Sequence, residues 1–97
     1  MRVFILGAVT AFALMSAAVA TQQNDPPPGQ APFRRVCAGC HGMNAEGSQG
    51  PRLAGLTIDH DEFVAKVRHS DGEMPSIPAR ELSDEDLEKV FAYLQGL

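Results

Sequence analysis

The order of apolar and polar residues along the 97-residue chain predicts short helices joined by loops. A first apolar stripe is formed by Phe33, Val36, Cys37 and Cys40, whose spacing of three and four residues is that of one helix face. This spacing predicts a helix from Pro32 to Cys40, with the proline in the first turn, where no N–H is needed. The chain shows neither strand-like alternation nor an internal repeat.

Two further helices are predicted by capping signals. Asp59 and Glu62 form a capping-box-like pair that starts the second helix, and a Ser-Asp-Gly turn at 70–72 ends it. Ser83 and Asp86 form a similar cap for the last helix, with acidic residues at the positive end of the helix dipole. The last helix is expected to bury one stripe of side chains, formed by Leu87, Val90, Phe91, Leu94 and Leu97.

Two loops separate the predicted helices. Residues 42–57 contain four glycines, which predicts an irregular loop. Residues 72–82 contain Met74-Pro75 and Ile77-Pro78, whose prolines stiffen the chain and exclude a regular helix. A long loop in so small a domain needs a surface to pack against, which favours a bound group between the helices.

The N-terminal part of the chain predicts an export signal. Residues 1–20 combine Arg2, an apolar run of about 17 residues and an Ala-Val-Ala sequence that ends at Ala20, which is typical of a cleaved secretory signal peptide. An uncleaved membrane anchor is the alternative, because the run is at the lower edge of bilayer-spanning length. Residues 21–29 contain three consecutive prolines and predict an extended linker, so the folded domain is expected at 30–97.

Charge and size narrow the classes of function. Cleavage after Ala20 would remove only Arg2 among the charged residues, which changes the formal charge from −4 to −5. An acidic chain argues against nucleic acid or an anionic membrane as a partner. The remaining 77 residues lack tryptophan and are marginal for a hydrophobic core of their own, so a bound apolar group is expected to complete the core.

The most specific chemical signal is a Cys-x-x-Cys-His motif at 37–41, the attachment signature of c-type haem. On one helical turn, Cys37 and Cys40 point the same way, so both sulfurs can form thioethers with one porphyrin. His41 then reaches the iron as the proximal ligand.

The cysteine pair has three other possible interpretations: a zinc site, a thioredoxin-like redox pair or a structural disulfide. A zinc site needs about four ligands. Only His60 and His69 are available beside the cysteines, and their spacing fits no zinc-finger pattern. A redox pair would need a strand–helix–strand context, and a disulfide would leave His41 as a coincidence.

The iron also needs a ligand on its opposite side, or that position stays open for chemistry. Candidates are Met43, Met74, His60 and His69. Met43 is only two residues from His41, so it is tethered to the same side of the porphyrin ring and cannot reach the opposite face. Met74 lies in the proline-stiffened loop and is the predicted distal ligand, with His69 as the main rival.

With these elements the chain resembles the small bacterial class I cytochromes c over residues 29–97. The resemblance is carried by the haem motif and by four further elements in the same order, which are Gly29 with Phe33, Gly50-Pro51-Arg52-Leu53, Met74-Pro75 and Val90-Phe91-Ala92-Tyr93-Leu94. It implies an all-α class I cytochrome c fold, in which three to four short helices and loops surround one covalently bound haem c.

The resemblance also implies roles for single residues. Phe33 is expected where the first and last helices cross, and Leu53 is expected to pack on the haem. The Pro51 carbonyl is expected to accept a hydrogen bond from His41. Pro32 replaces an aliphatic residue of the family pattern and is expected to shorten the first helix. The lysine-rich docking face of mitochondrial members is absent, so their partners are not implied.

The expected function is one-electron transfer in the periplasm between redox proteins, such as a dehydrogenase, an oxidase or a reductase, without enzymatic activity of its own. The protein is expected to be a monomer or a dehydrogenase subunit, with no membrane span after signal cleavage. One alternative is a cytochrome subunit held tightly by a periplasmic dehydrogenase. A less favoured alternative is a five-coordinate haem enzyme or gas sensor.

Overall fold

The computed structural model describes residues 2–3, 7 and 25–97. Most of the predicted signal peptide, and residues 21–24 of the predicted linker, therefore lie outside the described residues, and both segments stay predictions. Residues 25–97 form four helices, which are α1 (Gln30–Val36), α2 (Ala38–His41), α3 (His60–Arg68) and α4 (Asp84–Gln95). The predicted all-α fold is confirmed for this part of the chain. Among the described helices, none has both the length and the apolar content needed to cross a bilayer.

The first helix differs from its prediction. It begins at Gln30, two residues before the predicted start, and it breaks at Cys37 instead of continuing to Cys40. Backbone hydrogen bonds bridge the break, because the N–H of Cys37 donates to the carbonyl of Phe33 at 2.7 Å and the N–H of His41 to that of Cys37 at 3.1 Å. Pro32 does not shorten α1, because it lies in the first turn, where N–H groups have no partner within the helix.

Both predicted N-caps are confirmed. The Asp59 carboxylate accepts a hydrogen bond from the N–H of Glu62 at 2.9 Å, and the Ser83 hydroxyl accepts one from the N–H of Asp86 at 3.1 Å. The end of α3 comes earlier than predicted, because His69 leaves helical geometry with φ −135° and ψ 56°. The caps fix where α3 and α4 begin, and the loop between the two helices extends from His69 to Ser83.

The core is centred on the crossing of α1 and α4. Phe33 is fully buried there, and its ring centroid lies 5.6 Å from that of Tyr93. A Cβ atom added to Gly29 would overlap the Lys89 carbonyl and the Tyr93 Cβ, so the two backbones approach more closely than a side chain allows. Phe33 thus lies where the resemblance implies.

The buried stripe of α4 is confirmed for most of its members and wrong for one. Leu87, Val90 and Leu94 are almost fully buried, and Phe91 is half-buried. Leu97 is 47% exposed, because it follows the end of the helix at Gln95. Further buried apolar side chains come from α3 and from the loop before α4, and include Phe63, Val67, Ile77 and Leu82.

The glycine-rich loop is anchored on a buried alanine. Ala45 is fully buried and has a left-handed φ of 57°, a conformation that a residue with a Cβ rarely adopts. Its carbonyl accepts hydrogen bonds from the N–H groups of Leu53 and Ala54 at 2.9 and 3.0 Å. Gly55 then donates to the carbonyl of Leu94 at 2.8 Å, which ties the loop to α4.

A side-chain pair joins the start of α3 to α4. His60 Nε2 lies 2.5 Å from the Glu88 carboxylate, and its ring packs edge-on against Phe91 with centroids 5.4 Å apart. The hydrogen bond to Glu88 raises the pKa of His60 above its usual value of 6.5, with a smaller contribution from Asp61. The protonated imidazolium is therefore favoured in the folded protein.

This pair predicts a small pH dependence of stability. Because the folded protein holds the proton more tightly, the stabilisation is fully present below pH 6.5 and is lost as the pH rises through the raised pKa of His60. We expect Glu88→Gln to lower that pKa towards 6.5, measured by NMR titration of the His60 ring protons. Glu62→Gln, at an exposed carboxylate of α3, is the control. An equal midpoint in wild type and Glu88→Gln would contradict the assigned cause.

Candidate haem site

A cavity of about 550 Å³ lies between α2, the glycine-rich loop, α3 and the loop that contains Met74. This volume is within the range of about 300–1,000 Å³ that is typical of ligand and cofactor pockets. Cys40, His41 and Met74 are among the residues that line it. The apolar lining comes from Leu53, Leu56, Ile58, Phe63, Val67 and Pro75.

The His41 ring is held in one orientation by the backbone. His41 is 6% exposed, and its Nδ1 lies 2.8 Å from the carbonyl oxygen of Pro51. A carbonyl can only accept a hydrogen bond, so Nδ1 is the donor and Nε2 is the nitrogen left to bind a metal. This contact is the one that the resemblance implies.

Gly50 supports the same ring at close range. A Cβ atom added to Gly50 would lie 2.8 Å from His41 Cε1 and 2.9 Å from His41 Nδ1. The N–H of Gly50 also donates to the carbonyl of Cys40 at 2.7 Å, which fixes its backbone beside α2. Only glycine therefore leaves the imidazole in this position without a shift of the ring or of the loop.

The two cysteines differ in environment. Cys40 is exposed and lines the cavity, whereas Cys37 is half-buried and packs against the core. Burial raises the pKa of the Cys37 thiol to about 11, and the charge of Arg35 opposes this shift only in part. Cys37 therefore stays a thiol at neutral pH.

The alternatives to haem attachment gain no support from this arrangement. Both cysteines are free thiols, so the structure contains no disulfide between them. Within residues 25–97, no three side chains of His, Cys, Asp or Glu are grouped so that they could hold a metal ion. A zinc site at the cysteine pair would therefore lack the ligands that it needs.

The four candidates for the distal ligand lie in different places. Met74 is half-buried and lines the cavity. Met43 is 55% exposed and His69 is exposed, and neither is among the lining residues. His60 is engaged with Glu88 at the outer surface. Met74 is thus the candidate that the structure brings to the same cavity as His41.

The residues around the cavity fit haem c. One imidazole has a free Nε2, one thioether comes from another part of the chain, and two thiols lie in the turn before His41. The lining is mostly apolar, and its charged residues are Lys66, Asp71 and Glu73. Of these, Lys66 is the cation that a carboxylate of the porphyrin could meet. The roles of Cys37, Cys40, His41, Met74, Pro51 and Leu53 toward haem stay predictions.

Sequence reasoning missed two of these supporting residues. Lys66 is three residues after Phe63 on α3, so helix periodicity could have placed it beside the cavity. Gly50 lies directly before Pro51, but the need for glycine there comes from a contact with His41 that only the fold reveals.

Comparison with protein families gives one match over most of the chain. Residues 24–94 match the family described as cytochrome C oxidase, cbb3-type, subunit III. A cytochrome c4 from Azotobacter vinelandii is 39% identical over 73 residues, covering 64% of this chain and 34% of that protein. A cytochrome c-553-like protein from Synechocystis sp. is 30% identical over 69 residues, covering 71% of this chain and 66% of that protein. The chain thus spans less than two thirds of either relative.

Solved structures show the same fold. A chain in the crystal structure of p-cresol methylhydroxylase with substrate bound has a TM-score of 0.63 and 33% identity, over 71% of this chain and 90% of that one. Cytochrome cL from Methylophaga aminisulfidivorans has a TM-score of 0.61 over 70% of this chain and 49% of that one. At 22% identity, the second likeness concerns the fold alone.

The contact of Gly50 with the His41 ring predicts an effect of substitution. Gly50→Ala should destabilise the protein by about 1–3 kcal/mol, the usual range for an added methyl group in a tightly packed site. Chemical denaturation followed by circular dichroism measures this change. Gly39→Ala is the control, because a Cβ there would meet nothing within 4 Å. Equal stability of the two variants would contradict the proposed close contact.

Proposed function

The chain belongs to the cytochrome c family as a small mono-haem domain with haem c as its cofactor, and on this basis we propose that it is a one-electron carrier with His41 and Met74 as axial ligands. The observation that carries this proposal is that His41 and Met74 line one cavity. The other candidate ligands, Met43, His60 and His69, lie outside its lining.

When bound, haem c supplies an iron that takes up and releases one electron. Attachment would use the two thiols, each adding its S–H across one vinyl C=C, so that an S–C bond forms and the hydrogen goes to the neighbouring carbon. His41 would bind the iron through Nε2. Its Nδ1–H is held by the Pro51 carbonyl, which fixes the ring and raises its basicity as a ligand.

The rest of the lining favours electron transfer over substrate chemistry. The apolar side chains exclude water and favour the less charged form of the site, which raises the reduction potential. With Met74 as the second axial ligand, no iron position would be open to a substrate. The apolar lining and the absence of an open iron position both support a role as an electron carrier, without catalysis by this chain itself.

A second candidate function is that of a subunit held by a dehydrogenase. The similar chain of p-cresol methylhydroxylase is matched over 90% of its length at 33% identity, so a domain of this size occurs in the structure of an enzyme. The haem chemistry would be the same in both cases, and only the lifetime of the association would differ. In either case the predicted signal at 1–20 favours a site of action in the periplasm.

Met74→Ala tests the distal ligand. In holoprotein whose haem resists acid–acetone extraction, we expect loss of the near-infrared sulfur-to-iron band of the ferric form and binding of carbon monoxide to the ferrous form. The potential should fall, by part of the roughly 0.8 V over which axial ligands set haem potentials. Met43→Ala is the matched control, because Met43 is 55% exposed. If Met74→Ala kept the band and the potential, Met74 would not be the ligand and His69 would be mutated next.

Gel filtration of native extract distinguishes a free carrier from a subunit. A free carrier should elute as a small protein, with its haem absorbance separated from any dehydrogenase activity. A stable subunit should elute with that activity at a larger size, also at high salt, because an extensive apolar interface is little screened. N-terminal sequencing of the same fraction tests the signal peptide, and a first residue of Thr21 is expected.

A further inference from the structure

Arg68, at the end of α3, has a nearly buried side chain with 12% of its area exposed. Its Nη1 donates hydrogen bonds to the carbonyl oxygens of Ile77 and Leu82 at 3.1 and 2.7 Å. Its Nη2 donates to the Asp84 carboxylate at 2.7 Å. The guanidinium group of Arg68 therefore connects α3 to two positions in the loop before α4, Ile77 and Leu82, and to the first residue of α4.

These bonds act on the loop that contains Met74. The N–H of Ile77 donates to the carbonyl of Val67 at 2.8 Å, so Ile77 is bound to α3 through both its N–H and its carbonyl. Ile77 and Leu82 are also buried in the core. Met74 is only three residues before Ile77, with Pro75 between them, so the position of Ile77 restricts where the thioether can lie.

We propose that Arg68 is a positioning residue for the distal ligand, which it holds at the cavity by fixing the 72–82 loop against α3. This inference rests on the proposed ligation by Met74. Arginine suits the role because its planar group presents several donors in a fixed geometry. A buried cation is tolerated when it is paired and hydrogen-bonded, as Arg68 is with Asp84 and the two carbonyls.

The consequence concerns competition for the iron. A thioether bond to iron is weak, so its occupancy depends on how often the loop presents Met74 in the right place. When Arg68 restricts the loop to one conformation, an external ligand must first displace a well-positioned side chain. When the loop is free, only a fraction of the molecules presents Met74, and the apparent affinity for an external ligand rises accordingly.

The experiment uses the haem-containing ferric protein and compares Arg68→Met and Arg68→Lys with wild type. Imidazole titration should show binding about tenfold tighter in Arg68→Met, which loses the hydrogen bonds to both carbonyls and to Asp84; tenfold corresponds to about 1.4 kcal/mol. The near-infrared sulfur-to-iron band should weaken at temperatures where circular dichroism shows a folded protein. The Ile77 amide should exchange its hydrogen faster. Arg68→Lys keeps the positive charge but lacks the planar guanidinium with its several donors, so its imidazole affinity and band intensity should lie between those of wild type and Arg68→Met. If Arg68→Met does not fold, Arg68→Lys provides the test.

Arg80→Gln is the matched control, because it removes the same charge from an exposed position of the same loop. It should leave imidazole affinity, the band and Ile77 exchange as in wild type. If both Arg68 variants kept wild-type imidazole affinity and band intensity, the positioning role would be wrong while ligation by Met74 stood. If the wild-type protein lacked the band, the ligation by Met74 would be wrong and the role of Arg68 with it.

Discussion

The crossing of α1 and α4 is the contact on which the rest of the structure depends. Among the described helices, α1 packs on α2 and α4, and α3 packs on α4, so α4 is the link between the two sides of the cavity. The helix pair α1 and α2 brings His41, and α3 with its following loop brings Met74. The close backbone approach at Gly29 therefore helps to set the relative position of His41 and Met74, the two predicted ligands, which are far apart in sequence.

The two sides of the cavity are held by different means. His41 belongs to the same short helical segment as the cysteines, and backbone groups of the neighbouring loop surround its ring. Met74 lies in a loop without regular structure, and its position depends on contacts that Ile77 and Leu82 make with α3. The His41 side of the cavity is thus built by segments that are close in the sequence, and the Met74 side by contacts between more distant segments.

This difference explains what the sequence could predict. The caps at Asp59 and Ser83, the haem motif and most of the α4 stripe are patterns in which the important residues are spaced by three or four positions, and such spacings are determined by local helix geometry. The predicted start of α1 is wrong because a proline does not mark the first residue of a helix: it is tolerated throughout the first turn, where N–H groups have no partner within the helix. The break at Cys37 and the early end of α3 depend on the backbone that follows each helix.

Some features had no signal in the sequence at all. Ala45 adopts a left-handed conformation that its residue type does not favour, and it does so because its carbonyl meets two loop amides. Arg68 binds main-chain carbonyls, which every residue carries, so no sequence pattern marks its partners. In both cases the partner of the side chain or backbone group is decided by the fold.

The contact between α1 and α4 also has a consequence for the order of folding. It joins the first and last helices of the domain, so it closes a loop of about fifty residues and can form only after α4 has been synthesised. Until then, α1 lacks its partner helix, and Cys37 lacks part of the core against which it packs. The Cys37 thiol consequently stays accessible for as long as the chain is incomplete, whereas the Cys40 thiol is exposed in the folded domain as well. Folding therefore limits the time during which Cys37 can react.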